Sequence, residues 1–176
     1  MDLVDKKELE PTIGKADFWN PKQIVGLCQY VGGISAVDSL NDAQGFFKAP
    51  PLFNFKVHEH GLEMSIMIGM KLRYVAIPTS AIESIELEIG GTIDIEERSV
   101  IGRAVLGGVL LGPLGAVVGG VSGLKDKVVK DNDMLLLKVN EGELQTCVLL
   151  TIKKGKTAEV QKFFTTYYGE LFSVNR

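Results

Sequence analysis

A long run of uncharged residues at positions 104–124, reading AVLGGVLLGPLGAVVGGVSGL, places the strongest constraint on the fold of this chain. Small residues recur at every fourth position on either side of Pro113, a spacing that lets helix backbones approach closely, as in glycine-zipper contacts. The sequences before and after the run have the pattern of water-soluble β structure. The fold must therefore hold an apolar segment between two soluble parts. The six small residues are Ala104, Gly108, Gly112, Gly115, Gly119 and Gly123.

Short stretches with a hydrophobic period of two predict antiparallel strands that are half-buried. Turns at residues 59–61 and 140–142 are predicted to join two pairs of these strands into hairpins. The predicted strands cover residues 52–58, 62–68, 71–77, 82–89, 92–97, 134–139 and 144–152, and acidic residues of the fourth and fifth are expected to face solvent.

The last predicted element is an amphipathic helix at residues 157–172. Thr157 is a suitable N-cap, and Glu159 in the first turn favours the helix dipole. We expect this helix to cover the open end of a strongly bent sheet. Its apolar and aromatic face consists of Val160, Phe163, Phe164, Tyr167, Tyr168, Leu171 and Phe172.

The first fifty residues give weaker signals. Asn20 as N-cap, Pro21 at the first helical position and Gly32 after the end predict a short helix, with Ile24, Leu27, Cys28 and Val31 on one side. The stretch from there to residue 51 is rich in Gly, Asn, Asp and Pro, which is typical of a long loop or linker. Residues 1–15 are expected to be mobile.

The order of seven short strands and one terminal helix resembles the pleckstrin-homology-like (PH-like) superfold, in its GRAM and bacterial variants. The similarity rests on FKVHEHGLEMSI at residues 55–66, on YVAIPTSAIESIEL at residues 74–87, and on the helix after LQTCVLLTI. It implies a mainly β (α+β) fold, a bent antiparallel barrel capped by the C-terminal helix, with an inserted glycine-rich helical hairpin. Members of that superfold mostly bind phosphoinositide headgroups, peptides or other proteins and rarely catalyse a reaction.

The resemblance divides the chain into four parts. Residues 1–50 form an N-terminal extension with a short helix, and residues 51–98 form the first part of the barrel. Residues 99–125 form the glycine-rich insertion, called the glycine-rich segment below. Residues 126–176 supply the remaining strands and the capping helix.

Lipid-binding variants of this superfold usually carry several Lys and Arg residues on the loop between their first two strands. The matching turn in this sequence is residues 59–61, which contains no basic cluster. Headgroup binding by that route is therefore not indicated, because an acidic or neutral loop repels phosphate. The glycine-rich segment is the better candidate for membrane contact.

The glycine-rich segment is predicted to double back at Gly112–Pro113. A single bilayer crossing would place the strands before and after it on opposite sides, where they could not share a sheet. Each arm of about 10–13 residues is roughly 15–20 Å long as a helix, too short to cross a hydrocarbon core of about 30 Å. Arg103 and Lys125 lie at the base of the arms, where cations suit an interface.

The small residues are predicted to pack arm against arm, which turns the larger apolar side chains outward. Three destinations for that surface remain open: one leaflet of a membrane, an interface between sister subunits, or the surface of its own barrel. The predicted membrane or oligomer contacts are Val105, Leu106, Val109, Leu110, Leu111, Leu114, Val117, Val118 and Val121.

No catalytic constellation is recognisable in the sequence, so a non-catalytic module that associates with membranes or with itself is favoured. The partners are a membrane or sister subunits, and another protein remains an option. A net charge of −3 disfavours nucleic acid as a partner. No cofactor or metal is predicted. Cys28 and Cys147 are predicted to be buried residues that pack like small apolar side chains. The protein is predicted to be cytoplasmic, and a peripheral position at the inner membrane face is left open.

Two alternatives remain. One is an enzyme with an unrecognised site near the turn that contains His58 and His60, which a deep polar pocket containing His58 would support. These two histidines could also bind a metal with a third ligand, although polar residues beside a turn explain them more simply. The other is a soluble protein-binding domain whose hairpin packs on itself.

Overall fold

The computed structural model describes residues 1–44, 51–68, 70–95, 127–142 and 144–175. These residues form one bent sheet of eight strands in the order β4-β3-β2-β1-β7-β6-β5-β8. Neighbouring strands are antiparallel except β5 and β8, which are parallel. The strands are β1 Gln23–Gly32, β2 Leu52–His58, β3 Gly61–Ile68, β4 Lys71–Pro78, β5 Ile82–Ile95, β6 Lys127–Glu141, β7 Leu144–Ile152 and β8 Phe172–Asn175. The helices are α1 Leu9–Ile13, α2 Ser35–Gln44 and α3 Thr157–Tyr168, with short 3-10 turns at Lys6–Glu8 and Thr79–Ala81.

The C-terminal helix closes the core, which confirms the predicted fold class: a bent, mainly antiparallel sheet capped by a helix. Phe164 of α3 packs edge-on against Phe55 of β2, with ring centroids 5.4 Å apart. The Tyr168 hydroxyl donates a hydrogen bond to the Gly61 carbonyl at 3.1 Å. The buried residues of α3 are Val160, Phe163, Phe164 and Tyr168, four of the seven predicted.

The predicted bounds of this helix need two corrections. Thr157 is the first helical residue, and Lys156 occupies the N-cap position. The helix ends at Tyr168, and Phe172 begins β8, which pairs with β5 through Ile85. The chain leaves the helix early because the edge of the sheet offers backbone hydrogen bonds to β8.

The helix predicted between Asn20 and Gly32 is wrong, because Gln23–Gly32 is the central strand β1. This strand pairs with β2 on one side and β7 on the other, so tertiary pairing overrides the local helix signals. Gly26 has a φ of +64°, a conformation that no α-helix contains. Before this strand, the Asp17 carboxylate caps a turn by accepting hydrogen bonds from the Trp19 and Asn20 amides.

The stretch after β1 was expected to be a loop but contains α2. A buried hydrogen-bond cluster fixes its start: the Tyr30 hydroxyl donates to Asp38 at 2.8 Å and accepts from the Ile34 amide at 2.6 Å. Burial and the nearby Asp38 carboxylate raise the pKa of Tyr30. Because β1 precedes β2, the loop between the first two strands is residues 33–51, not residues 59–61. Its sequence has Lys48 as its one basic residue, so it too lacks a basic cluster.

The N-terminal residues were expected to be mobile, and instead they pack on the outer face of β3 and β4. Val4 and Tyr74 exchange backbone hydrogen bonds of 2.8 and 3.2 Å at the edge of the sheet. Leu9 and Ile13 of α1 are buried with Tyr74 in a small second core. We call residues 4–16 the N-terminal clasp.

The strands beside the glycine-rich segment are longer than predicted. Residues 82–89 and 92–97 were predicted as two strands, but Ile82–Ile95 is one strand with register irregularities around Gly91. Its partner β6 begins at Lys127, seven residues before the predicted start.

The sheet is buried on both faces at β5, β6 and β7. Leu135 and Leu137 belong to the main core, yet Met134 and Leu136, which alternate with them, are also buried. Leu149, paired with Leu136, is buried on that same outer face. The outer face also buries Glu86, which corrects the expectation that the acidic residues of this strand are all solvated.

Candidate functional site

The sheet holds the two ends of the glycine-rich segment side by side. In the β5–β6 ladder, Asp94 is paired with Val128 and Ile95 with Lys127. Paired residues of antiparallel strands have Cα atoms about 4.5–5.5 Å apart. The two described ends of the segment, Ile95 and Lys127, therefore lie side by side in the sheet. The prediction that the strands before and after the segment share one sheet is confirmed.

The predicted contact residues themselves lie outside the described residues. This holds for the outward-facing set Val105, Leu106, Val109, Leu110, Leu111, Leu114, Val117, Val118 and Val121. It also holds for the packing set Ala104, Gly108, Gly112, Gly115, Gly119 and Gly123, and for the predicted bend at Gly112–Pro113. The candidate site is therefore described below through the ends of β5 and β6 and the residues around them.

Asp133 ties this strand pair to the capping helix. Its Oδ1 accepts a 2.9 Å hydrogen bond from the Gly90 amide, and its Oδ2 accepts one from the Thr157 hydroxyl at the start of α3. Gly90 has a φ of +67°, which favours glycine. Asp133 was not predicted as part of the site, although Gly90–Gly91 within a strand pattern was a signal for a bulge.

Four strand ends lie at the same end of the sheet as the attachment point. Because β1, β7, β6 and β5 are consecutive antiparallel neighbours, the end of β5 and the start of β6 point the same way as the end of β7 and the start of β1. Met134 of β6 pairs with Thr151 near the end of β7, so the β5–β6 ladder extends about 20 Å beyond β7 before it reaches Lys127. The turn before β1, residues 17–21, and the turn after β7, residues 153–156, lie towards this end. These turns could not be related from the sequence, because β1 was predicted as a helix.

The histidine turn lies where the N-terminal clasp crosses β2 and β3. The His58 Nδ1 donates to the Gly14 carbonyl at 2.8 Å, since a carbonyl can only accept. The Nε2 then faces the Glu63 carboxylate at 2.8 Å. Both side chains are buried, and His60 lies exposed in the turn. Both ring nitrogens of His58 are thus engaged by the protein, and neither has a free lone pair for a metal.

A cavity of about 310 Å³ opens beside this pair. This volume is at the lower limit of small-molecule sites, which are about 300–1,000 Å³. Two ammonium groups and two carboxylates balance one another around it, so its electrostatics select neither an anion nor a cation. The lining residues are Lys15, Ala16, Asp17, Lys22, Val57, His58 and Glu59.

The described residues bear on membrane and metal chemistry in two respects. Within that part of the chain, no helix combines the length and apolar composition needed to cross a bilayer. The same residues contain no group of three or more His, Cys, Asp or Glu side chains placed to hold a metal ion.

Comparison with known proteins gives one family. A family model described as a glycine-zipper-containing PH domain matches residues 55–149, more than half of the chain. The match begins within β2, ends within β7 and includes the whole glycine-rich segment. No curated protein matches this sequence.

Proposed function

This chain belongs to the family of PH domains that contain a glycine zipper, and from that membership we propose that it is a non-catalytic binding module. In this proposal the glycine-rich segment mediates association with a membrane or with sister subunits. PH-like domains commonly bind lipids or proteins and are generally not enzymes. We further propose a cytoplasmic location, peripheral at the inner membrane face, which the two free cysteines support.

The pairing of Ile95 with Lys127 is the observation that carries this proposal. It fixes both ends of the segment on one side of any bilayer that the segment contacts. A segment that enters from one side and returns to it, with arms of at most about 20 Å, suits a single leaflet or a subunit interface better than a crossing.

The apolar composition of the glycine-rich segment supplies the free energy that drives association. Ten Val and Leu side chains in residues 104–124 contribute about −3 to −6 kcal/mol on an insertion scale, which the many glycines and Pro113 partly offset. Glycine arms that pack closely leave these side chains on the outside. An apolar surface of that kind marks an association site.

Removal of the connection tests this proposal directly. Because Ile95 and Lys127 are paired, replacing residues 96–126 by Asn-Gly should close the strands with a two-residue turn. We expect the full-length protein to bind vesicles or to form oligomers, and the spliced protein to be a monomer that ignores vesicles. Flotation with vesicles and size-exclusion chromatography with light scattering, with and without detergent, measure both properties.

A variant of unchanged length tests whether association depends on the apolar side chains or only on the presence of the glycine-rich segment. Leu110→Lys with Val117→Lys keeps all residues but charges two predicted contact positions, and it should abolish association like the splice. A full-length protein that is monomeric without detergent and does not float with vesicles would contradict the proposal.

A second candidate is a protein-binding domain whose glycine-rich segment packs on its own sheet. The burial of Met134, Leu136 and Leu149 on the outer face favours it, because these apolar residues face away from the core. In that case the splice should expose them. The spliced protein would then aggregate or lose stability, rather than become a well-behaved monomer.

The catalytic alternative has a cavity beside His58 in its favour. However, the two ring nitrogens of His58 are held by Gly14 and Glu63, which leaves no free base to face the cavity. A non-catalytic role therefore agrees better with this geometry.

A further inference from the structure

Two aromatic rings project into water at the turn before β1. Phe18 and Trp19 are 84% and 91% exposed, and their rings make an edge-on contact with centroids 5.6 Å apart. The turn is fixed by the Asp17 carboxylate, which accepts hydrogen bonds of 3.0 Å from the Trp19 and Asn20 amides. These rings are thus presented by an ordered turn, without burial against the protein.

Two exposed lysines also lie towards this end of the sheet. Lys153 and Lys154 follow β7, and the Lys153 amide donates to the Leu27 carbonyl at 2.9 Å, which holds that turn beside the middle of β1. Both side chains are exposed, and neither forms an ion pair with a described residue. Lys22 lies over the Tyr167 ring, 5.6 Å from its centroid, and Asp17 and Glu59 line the same cavity, so the charge of Lys22 is balanced locally.

We propose that this end of the sheet is a second membrane-contact surface, formed by Phe18, Trp19, Lys153 and Lys154, and that its partner is an anionic bilayer. The rings lie at the level of the headgroups, and the ammonium groups face lipid phosphates. The inference rests on the proposed function in one respect: it selects the membrane over sister subunits as the partner.

The chemistry of the residues fits this partner. Aromatic rings are enriched at membrane–water interfaces, where an apolar body and a polar edge are both satisfied. Lysine side chains reach lipid phosphates on flexible apolar stems. The surface also lies towards the end of the sheet from which the β5–β6 ladder projects to Ile95 and Lys127, so both face the same side of the molecule.

Trp19 provides the measurement, because it is the one tryptophan in the sequence. Full-length protein is titrated with phosphatidylcholine vesicles, with or without phosphatidylglycerol, and its tryptophan emission is recorded. We expect the emission to shift to shorter wavelength with the anionic vesicles, and brominated lipids to quench it. Phosphatidylcholine alone should leave the emission unchanged.

Charge variants test the lysines against a matched position. Lys153→Gln with Lys154→Gln should weaken vesicle binding about 25-fold, since each lysine near an anionic surface contributes about fivefold. Lys71→Gln is the control, because this exposed lysine lies at the opposite end of the sheet, beside the β3–β4 turn. It should leave binding unchanged.

Aromatic variants test the rings in the same way. Phe18→Ser with Trp19→Ser should weaken flotation with anionic vesicles about tenfold or more, the loss expected for two rings that leave an interface. Met70→Ser is the control: Met70 is 99% exposed at the β3–β4 turn, and its replacement should have no effect.

The outcomes separate this inference from the proposed function. Vesicle binding with unchanged Trp19 emission overturns the inference and leaves the proposed function standing. An equal shift with neutral vesicles contradicts the assignment of an anionic surface. A shift that follows protein concentration without vesicles makes the surface a subunit contact. Absence of flotation overturns the inference, and light scattering then decides whether self-association remains.

Discussion

His58 links the N-terminal clasp to the sheet through its two ring nitrogens. The Nε2 lies 2.8 Å from Glu63 Oε2 on β3, and the Nδ1 lies 2.8 Å from the Gly14 carbonyl oxygen of the clasp. Close by, the amides of Glu59 and His60 donate to the carbonyls of Lys15 and Ile13. Burial and the Glu63 charge raise the pKa of Tyr74, which packs under the same clasp. The histidine is therefore a structural residue of the fold.

His58→Ala should loosen the clasp. The substitution leaves the buried Glu63 carboxylate and the Gly14 carbonyl without their partner, which costs about 1–3 kcal/mol of unfolding free energy. Urea denaturation measures this loss, and hydrogen exchange at the Glu59 and His60 amides should accelerate. His60→Ala is the control, because that side chain is exposed and should change stability by less than about 0.5 kcal/mol. Equal effects of both variants would contradict this role of His58.

Gly61 allows the clasp to approach the sheet. A Cβ at this position would lie 2.4 Å from Ile13 Cγ2 and 2.5 Å from the Ile77 carbonyl oxygen. Since backbone cannot move aside cheaply, Gly61→Ala should destabilise the protein by about 1–3 kcal/mol, as overpacking does. Differential scanning calorimetry measures the change.

Gly142→Ala is the comparison for Gly61. Gly142 has a φ of +67° but open space around its Cβ position, so its replacement reports conformational strain alone. We expect a cost of about 1 kcal/mol there. The Gly61 variant should also speed hydrogen exchange at the His60 amide, which the Gly142 variant should not do. A Gly61→Ala protein as stable as the wild type would disprove the close contact.

The elements whose apolar and polar residues alternate regularly were predictable from the sequence. The helix α3 and the β2–β3 hairpin were found because their apolar side chains repeat with the period of the element. In β3 the alternating residues Glu63 and Ser65 are polar although they too are buried. In β1 both faces are buried in part, and the strand is irregular between Ile24 and Cys28. The apolar residues of β1 therefore fall at helical spacing, and this spacing predicted a helix where the chain forms a strand.

The attachment of the glycine-rich segment was predictable for a different reason. Strands of one sheet must be continuous in space, so the two ends of an insertion between β5 and β6 have to meet. The clasp was not predictable, because it depends on contacts between distant residues such as Val4 and Tyr74. Likewise, nothing in the local sequence marks Asp133 as the partner of Gly90 and Thr157.

The two cysteine thiols should be unreactive in the folded protein. Cys28 and Cys147 are buried, as predicted, and burial raises the pKa of each thiol to about 12. We expect Ellman's reagent to react with neither thiol in buffer at pH 8 and with both in guanidinium chloride. Fast reaction of the native protein would show that the β1–β7 region opens readily.

The same thiols give a pH dependence of stability. A thiol whose pKa is higher in the folded state than the ordinary 9.0 holds its proton when the unfolded chain has lost it. The free energy of unfolding should therefore fall as pH rises above about 9. Cys28→Ala with Cys147→Ala should flatten this decline, measured by urea denaturation at a series of pH values. An unchanged slope would assign the decline to other groups.

Lys138 compensates a carboxylate that is buried on the outer face of the sheet. Its Nζ lies 2.7 Å from Glu86 Oε1, which also accepts a hydrogen bond from the Ser84 hydroxyl at 2.8 Å. The other carboxylate oxygen, Oε2, has no partner among the described residues. Lys138→Met should therefore destabilise the protein by about 3 kcal/mol, the cost of leaving a buried charge without its counterion.

A second substitution identifies the cause. Glu86→Gln in the same background should recover part of the loss at neutral pH. Lys156→Met is the matched control: its pair with Glu159 is exposed, and such pairs contribute about 0–1 kcal/mol. If both lysine variants lose the same stability, and Glu86→Gln recovers none of it, the buried pair does not stabilise the β5–β6 ladder that carries the glycine-rich segment.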